Sequence, residues 1–329
     1  MAKPEVLFIL SVDTEEEWDW SGPFPNSDFS VDNAKELPAF QNFCQELGIK
    51  PTYLVDYAIA NDPYAVSILT GFNQNECEIG AHLHPWANPP FFNETSEFTS
   101  HVVNLPIEHV EQKLAALVEK IKENFQLTPN SFRTGRWGIN GEVIKLLEKY
   151  NISVDSSAYP LYVNKYFSCE QAPCKPYWPA LTDTNLSGQQ KAVLEIPVTT
   201  GFNRSATQLC QAIHKACEHK PLSWLRLNGL LWHSLLLRKL YLSPELCTSS
   251  DMIRLVKTQL QQKQQVFHMF MHSSTLVERV TGLNNEPHAR ELLCQRIKDV
   301  IHYMQQYVTI KFCTLSEAQT HLIERGMTK

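Results

Sequence analysis

Glycine is scarce in this chain, 12 residues in 329, about half the ~7% usual in globular proteins. A glycine-rich loop that cradles phosphates is disfavoured, and the dinucleotide fingerprint GxGxxG is absent. None of the nine cysteines forms a Cys-x-x-Cys pair, which excludes a zinc ribbon and a thioredoxin-type motif. Their odd number and irregular spacing point to free thiols in a reducing, cytoplasmic compartment, with a pair between Cys169 and Cys174 as the lesser alternative. There is no Lys/Arg-rich run and the net charge is −6, so nucleic acid is not the main partner. No GxSxG elbow is present, which disfavours a serine hydrolase.

Long hydrophobic runs are also missing. No uncharged apolar stretch reaches the ~20 residues of a membrane-spanning helix. The nearest, Leu222–Leu242, is interrupted by Arg226, His233, Arg238 and Lys239. It reads as a buried or half-buried helix, or as an apolar lip near a lipid-linked substrate. Val6–Leu10 is too short for a secretion signal, and the acidic run Asp13–Glu17 follows it at once.

What is present is alternation. Short apolar runs predict strands at Val6–Val12, Thr52–Val55, Glu78–His82, up to Arg133, Ile152–Asp155, Val193–Val198, Val266–Met271 and Val308–Phe312. Amphipathic segments predict helices at Asn33–Leu47, Pro63–Phe72, Ile107–Phe125, Gly141–Tyr150, Ala206–Cys217, Leu230–Leu242, Ser250–Gln264, Pro287–Tyr307 and Ser316–Glu324. In Ile107–Phe125 the residues Val110, Leu114, Leu117, Val118 and Ile121 mark one apolar face. Strands alternating with helices predict an α/β fold with a parallel sheet, and the size suits one barrel spanning 1–329. Loop insertions are expected near 88–105 and 159–190, where periodicity is lost.

Four polar clusters fall just after predicted strands, where parallel α/β folds build their sites. Asp13-Thr14-Glu15-Glu16-Glu17 packs carboxylates that need a cation, or stay solvated. His82-Leu83-His84 places two imidazoles where both can reach one metal, or are ordinary loop histidines. Arg133 closes a strand and can orient a carboxylate, with Gly135 and Gly138 permitting a tight turn after it. His272 closes an apolar strand, in the position of a general acid or base, whereas His268 reads as a hydrogen-bonded core histidine.

In this order the clusters resemble the motifs of the polysaccharide deacetylase superfamily, the NodB-homology or carbohydrate esterase 4 type. Val12-Asp13-Thr14-Glu15 is similar to its first motif and Glu78-Ile79-Gly80-Ala81-His82 to its second. Phe132-Arg133 with Gly138 is similar to the third, and Met271-His272-Ser273-Ser274 to the last. Asp155-Ser156-Ser157 resembles a stretch common in the superfamily. The resemblance implies a distorted (β/α)7 barrel and a metal-dependent hydrolase, with a divalent ion, most simply zinc. It implies Asp13 as base, His272 as acid and Arg133 orienting Asp13. Two departures stand out. Thr14 separates Asp13 from the next acid, so the metal carboxylate would be Glu15. Position 86 is Trp, so His84 would join His82 as ligand.

The implied reaction removes an acetyl group from an N-acetylated sugar of a glycan, or of a lipid-linked glycan precursor. Trp18, Trp20, Trp86 and Trp137 flank the motifs. Trp18, Trp86 and Trp137, together with Asp155, are the expected substrate contacts. A non-sugar amide as substrate, and a non-catalytic sugar-binding role, are the alternatives. Oligomeric state is not set by the sequence.

Overall fold

The computed structural model describes residues 3–205, 207–218, 227–234, 236–283 and 287–326. Its frame is a parallel sheet of β1 (Glu5–Thr14), β2 (Pro51–Val55), β3 (Glu78–Leu83), β4 (Ser131–Thr134), β5 (Val154–Asp155), β6 (Leu194–Glu195) and β7 (Val266–His272). These seven lie in the order β7-β1-β2-β3-β4-β5-β6. An eighth strand, β8 (Thr309–Phe312), pairs with Glu5–Phe8 of β1, below the stretch Leu10–Thr14 that pairs with β2. The sheet curls into a half-barrel, and no ladder joins β6 to β7 among the described residues. Backbone bonds from Thr199 to His268 and from Phe270 to Leu242 span that opening instead.

Side-chain alternation along β1 sorts the core into two layers. Val6, Phe8, Leu10 and Val12 face the surrounding helices, while Leu7 and Ile9 join a smaller cluster with Leu54, Val154 and Leu194 inside the half-barrel. Continuing the inner phase, Ser11 and Asp13 follow Leu7 and Ile9. The interior is therefore apolar at its lower end and polar at its upper end. Helix Leu315–Glu324, started by a capping box of Thr314 and Glu317, closes the lower end with Leu315, Ala318 and Leu322.

The outer layer follows the predicted faces. Helix Ile107–Phe125 buries Val110, Leu114, Leu117, Val118 and Ile121 as its periodicity requires. The expected helix Asn33–Leu47 begins later, at Leu37, after a 3₁₀ turn over Asp32–Glu36. Residues 159–190 carry a small hairpin, Pro179–Ala180 with Asp183–Ser187.

The helix expected over Leu230–Leu242 is a correction. A helix spans Leu227–His233, but Lys239–Tyr241 is a strand paired antiparallel with Thr200–Phe202. The leucines of this segment are too many and too closely spaced to give a period that separates helix from strand, and the pairing partner lies some forty residues earlier. Part of the apolar segment 222–242 lies outside the described residues. All nine cysteines are free thiols, Cys169 and Cys174 included. No helix among the described residues is long and apolar enough to cross a membrane.

Candidate functional site

Strand register brings the inner-face residues together. Asp13 of β1 is the direct neighbour of His272 on β7, and His82 of β3 is the direct neighbour of Arg133 on β4. Paired residues in a ladder share a face, so Asp13 and His272 meet on the inner side, as do His82 and Arg133. Glu15 and His84 are the first residues past the ends of β1 and β3. Ser273 and Asn33 hold the Glu15 backbone through bonds to its N–H and C=O.

Glu15, His82 and His84 each offer a ligand atom within 4.8 Å of the others. Nε2 of His82 lies 3.4 Å and Nε2 of His84 3.3 Å from the same Glu15 oxygen, Oε2. His84 donates its other ring N–H to Glu16, at 2.9 Å from Oε2. That bond fixes the tautomer and leaves the Nε2 lone pair facing Glu15, as in a carboxylate–histidine–metal arrangement. Glu16 also accepts from Trp86 Nε1 at 2.5 Å. Trp86 stacks on the His84 ring, with centroids 4.2 Å apart. The residue that departs from the family pattern thus supports the histidine beside it.

The donor set fits a cation. Both ring nitrogens of His82 are buried with no hydrogen-bond partner, a costly state for polar atoms unless something binds them. Burial lowers the pKa of His82 and His84, so both rings are neutral with a free lone pair. Burial also pushes Glu15 up to about 8, with Glu16 and Asp13 adding to the rise. Four carboxyls here, Asp13, Glu15, Glu16 and Asp56, are buried, and the buried guanidinium of Arg133 pairs with one of them, Asp13. Asp56, raised well above its usual value by burial and by Glu16, stays protonated and bonds to Glu16.

Arg133 is fully buried. Its Nη1 donates to Asp13 Oδ1 at 2.5 Å, and its Nη2 to Ser11 and Ser156 at 2.8 and 2.9 Å. Burial alone would raise Asp13, but Arg133, with His82 and His272, outweighs it and holds the carboxyl below its usual value. The free oxygen, Asp13 Oδ2, lies 3.6 Å from His272 Nε2. On its far side His272 Nδ1 meets Glu245 Oε1 at 2.7 Å. Burial opposes the charge on His272, but Glu245 and the nearby carboxylates prevail and raise it to about 10. His268 lies lower on β7, fully buried, bonded to Ser11 and to the Ile196 carbonyl.

The site opens into a cavity of about 250 Å³ that reaches Glu15, His84 and His272. Trp18, Trp20, Trp86, Trp137 and Tyr162 form its aromatic walls. Tyr162 and Asn164 come from the insertion at 159–190, and His101 from that at 88–105. Trp137 adopts φ +59°, rare for a bulky residue, which sets its ring over the Arg133 guanidinium at 4.9 Å. Lys113 holds the loop after His84 by donating to the carbonyls of Pro85, Asn88 and Pro90.

Asp155 does not join this cavity. It pairs in register with Phe132 and Glu195, on the face opposite Val154 and Leu194. There it is fully buried, accepts from Ser157 at 2.6 Å and shares a hydrogen bond with Glu195. The expected substrate contact is a buried carboxyl pair instead. Conversely, sequence reading missed Glu245, Asp56 and Tyr162. Asp56 was recoverable, since it directly follows strand β2. Glu245 carries no such signal, sitting on a turn after a strand that reads as helix.

No protein-family model matches the sequence, and no curated protein matches it. Solved structures do match in shape. A protein from Mycobacterium smegmatis assigned as a polysaccharide deacetylase shares 14% identity at a TM-score of 0.56, over 99% of this chain and 92% of that one. One from Parabacteroides distasonis assigned as a glycoside hydrolase/deacetylase shares 13% at 0.59, over 96% and 70%. At such identities the likeness is one of fold, and the fold is the (β/α)7 half-barrel of the polysaccharide deacetylase type.

Proposed function

We propose that this chain is a metal-dependent hydrolase that removes the acetyl group from an N-acetylated sugar. The observation that supports it most is the convergence of Glu15, His82 and His84 on one point, with Asp13 and His272 beside it under an aromatic cavity. A divalent cation held by those three residues, most simply Zn²⁺, supplies Lewis acidity toward a water and an amide carbonyl. Arg133 keeps Asp13 ionised and aims its free oxygen, which accepts the proton of the attacking water. As the C–N bond breaks, protonated His272 gives its Nε2 proton to the departing amine. The products are acetate and an amino sugar.

The cavity volume, about 250 Å³, lies below the ~300–1,000 Å³ of sites that enclose a drug-sized ligand. It suits one sugar-sized portion of a larger glycan, with Trp18, Trp86 and Trp137 offering flat faces to the ring. The nine free thiols suit a reducing compartment, the cytoplasm.

The test is acetate release from N-acetylated oligosaccharides by purified protein, with zinc added and after chelation, beside a panel of small amides and N-formyl compounds. Zinc-dependent release from the sugars supports the reading. Turnover of the small amides alone would reassign the substrate. Glycan binding without turnover, or a protein that holds no metal after reconstitution, would overturn it.

A further inference from the structure

A second surface has a chemistry of its own. Helix Thr207–Glu218 turns Cys210 inward against Phe202, Leu161 and Leu237, and helix Leu227–His233 adds Leu231 to that cluster. The cluster is closed by these residues, yet the same segments present further large apolar side chains outward. Leu209 is 61% exposed, Leu230 65% and Leu236 57%, and Ile213 and Trp232 are exposed as well. Contiguous exposed apolar residues of this kind mark an interaction surface.

Cations surround them. The sequence has no Asp or Glu from His219 to Pro244. Beside the helices, a cavity of about 430 Å³ is lined by Arg204, Arg254 and Lys257. Arg204 donates to the Leu236 carbonyl at 3.1 Å, which joins the basic cavity to the apolar patch. Arg254 is paired with Asp251, whereas Lys257 pairs with no carboxylate among the described residues. Arg238 lies over the Trp232 ring at 4.9 Å and is itself paired with Asp251 at 2.7 Å, which leaves Arg204 and Lys257 as the cations of this surface without a carboxylate partner among the described residues. The chain as a whole is acidic, at −6, so this basic surface stands against the overall charge.

We propose that this patch docks on a bilayer bearing anionic phospholipids, with Leu209, Ile213, Leu230, Trp232 and Leu236 entering the interface and Arg204 and Lys257 meeting headgroup phosphates. Leucine and tryptophan flanked by Arg and Lys is the composition of an interfacial, non-spanning contact. A symmetric second copy would set these cations against themselves. The patch also borders the cleft, since Lys239 donates to the carbonyl of Leu161, next to Tyr162 of the cavity wall. Docking there would bring the cleft to the lipid surface.

The test is flotation of the full chain with phosphatidylcholine vesicles, alone or carrying about 30% phosphatidylserine, at low and high salt. Three proteins are compared: wild type, Leu230→Ser/Leu236→Ser and Arg204→Glu/Lys257→Glu. Circular dichroism and metal content serve as controls, which both variants should keep. The expected result is salt-sensitive binding to the anionic vesicles, with each variant at least about tenfold weaker. Absence of binding to anionic vesicles, or equal binding by all three proteins, would overturn the proposal. So would a wild-type dimer in light scattering that Leu230→Ser/Leu236→Ser dissolves. None of these readouts depends on the hydrolase reading.

Discussion

Glu245 Oε1 lies 2.7 Å from Nδ1 of His272, a partner 27 residues away in the chain. Its other oxygen accepts from the His272 backbone N–H at 2.9 Å and from Thr275. Glu245 thus fixes both the ring and its tautomer, which leaves the Nε2–H toward Asp13. It is also the largest contributor raising the His272 pKa. Glu245→Gln should therefore lower kcat by roughly 10²-fold while leaving metal content unchanged. Removing the negative charge lowers the His272 pKa, and an acid must be protonated to act. The alkaline limb of the pH–rate profile should then move to lower pH. An unshifted limb would show that Glu245 does not act through His272.

Glu16 stands to His84 as Glu245 stands to His272. It receives the Nδ1–H of His84 and the Nε1–H of Trp86, as well as the proton of Asp56. A glutamine there has one accepting oxygen and a donor amide, so at least one of these donors would face another N–H. Glu16→Gln should weaken zinc binding about 10–100-fold, read by titration against a chelating dye. Trp86→Phe keeps the stacked ring and removes one donor, and should weaken binding less.

The approach of Gly135 to His84 gives a steric test. A Cβ on Gly135 would stand 1.9 Å from Cδ2 of His84 and 2.9 Å from the Leu83 carbonyl. The ring cannot yield without leaving Glu16. Gly135→Ala should destabilise the fold by about 1–3 kcal/mol and reduce metal affinity as well, measured by urea unfolding and zinc titration. Gly229, with nothing within 4 Å of its Cβ position, supplies the contrast: Gly229→Ala should change neither stability by more than ~1 kcal/mol nor metal binding.

Much of this architecture was legible because it rests on local periodicity. The two-residue repeat of β1 already sets Leu7, Ile9, Ser11 and Asp13 on one side, and the apolar stripe from Val110 to Ile121 marks a helix face. Polar residues after apolar strands marked Asp13, His82, Arg133 and His272, which the register then brings together. Features that depend on non-local pairing were not legible. A strand as short as Val154–Asp155 does not reveal which residue faces inward; its pairing with Ser131 and Phe132 decides that, and sends Asp155 away from the cavity. The strand Lys239–Tyr241 needs Thr200–Phe202 to exist. Glu245 is placed by that same misread segment.

His268 supplies a stability signature separate from the reaction. It is fully buried, and its Nδ1–H bonds the Ile196 carbonyl at 3.2 Å. Its Nε2 lies 2.8 Å from the Ser11 hydroxyl, which itself accepts from Arg133 at 2.8 Å. Burial, aided by the Arg133 charge, lowers its pKa from 6.5 to about 3. Between those values the unfolded chain binds a proton that the folded chain refuses. Stability contributed by this group is therefore complete above about pH 6.5, and falls as pH drops toward about 3. The slope for one such group is at most about 1.4 kcal/mol per pH unit. His268→Gln keeps a polar partner for Ser11 but takes up no proton. It should be less stable than wild type near neutral pH, and the gap should narrow by about 1–2 kcal/mol between about pH 7 and pH 5. Urea unfolding of both proteins across that range measures it. A constant gap would mean that His268 is not held neutral by the fold.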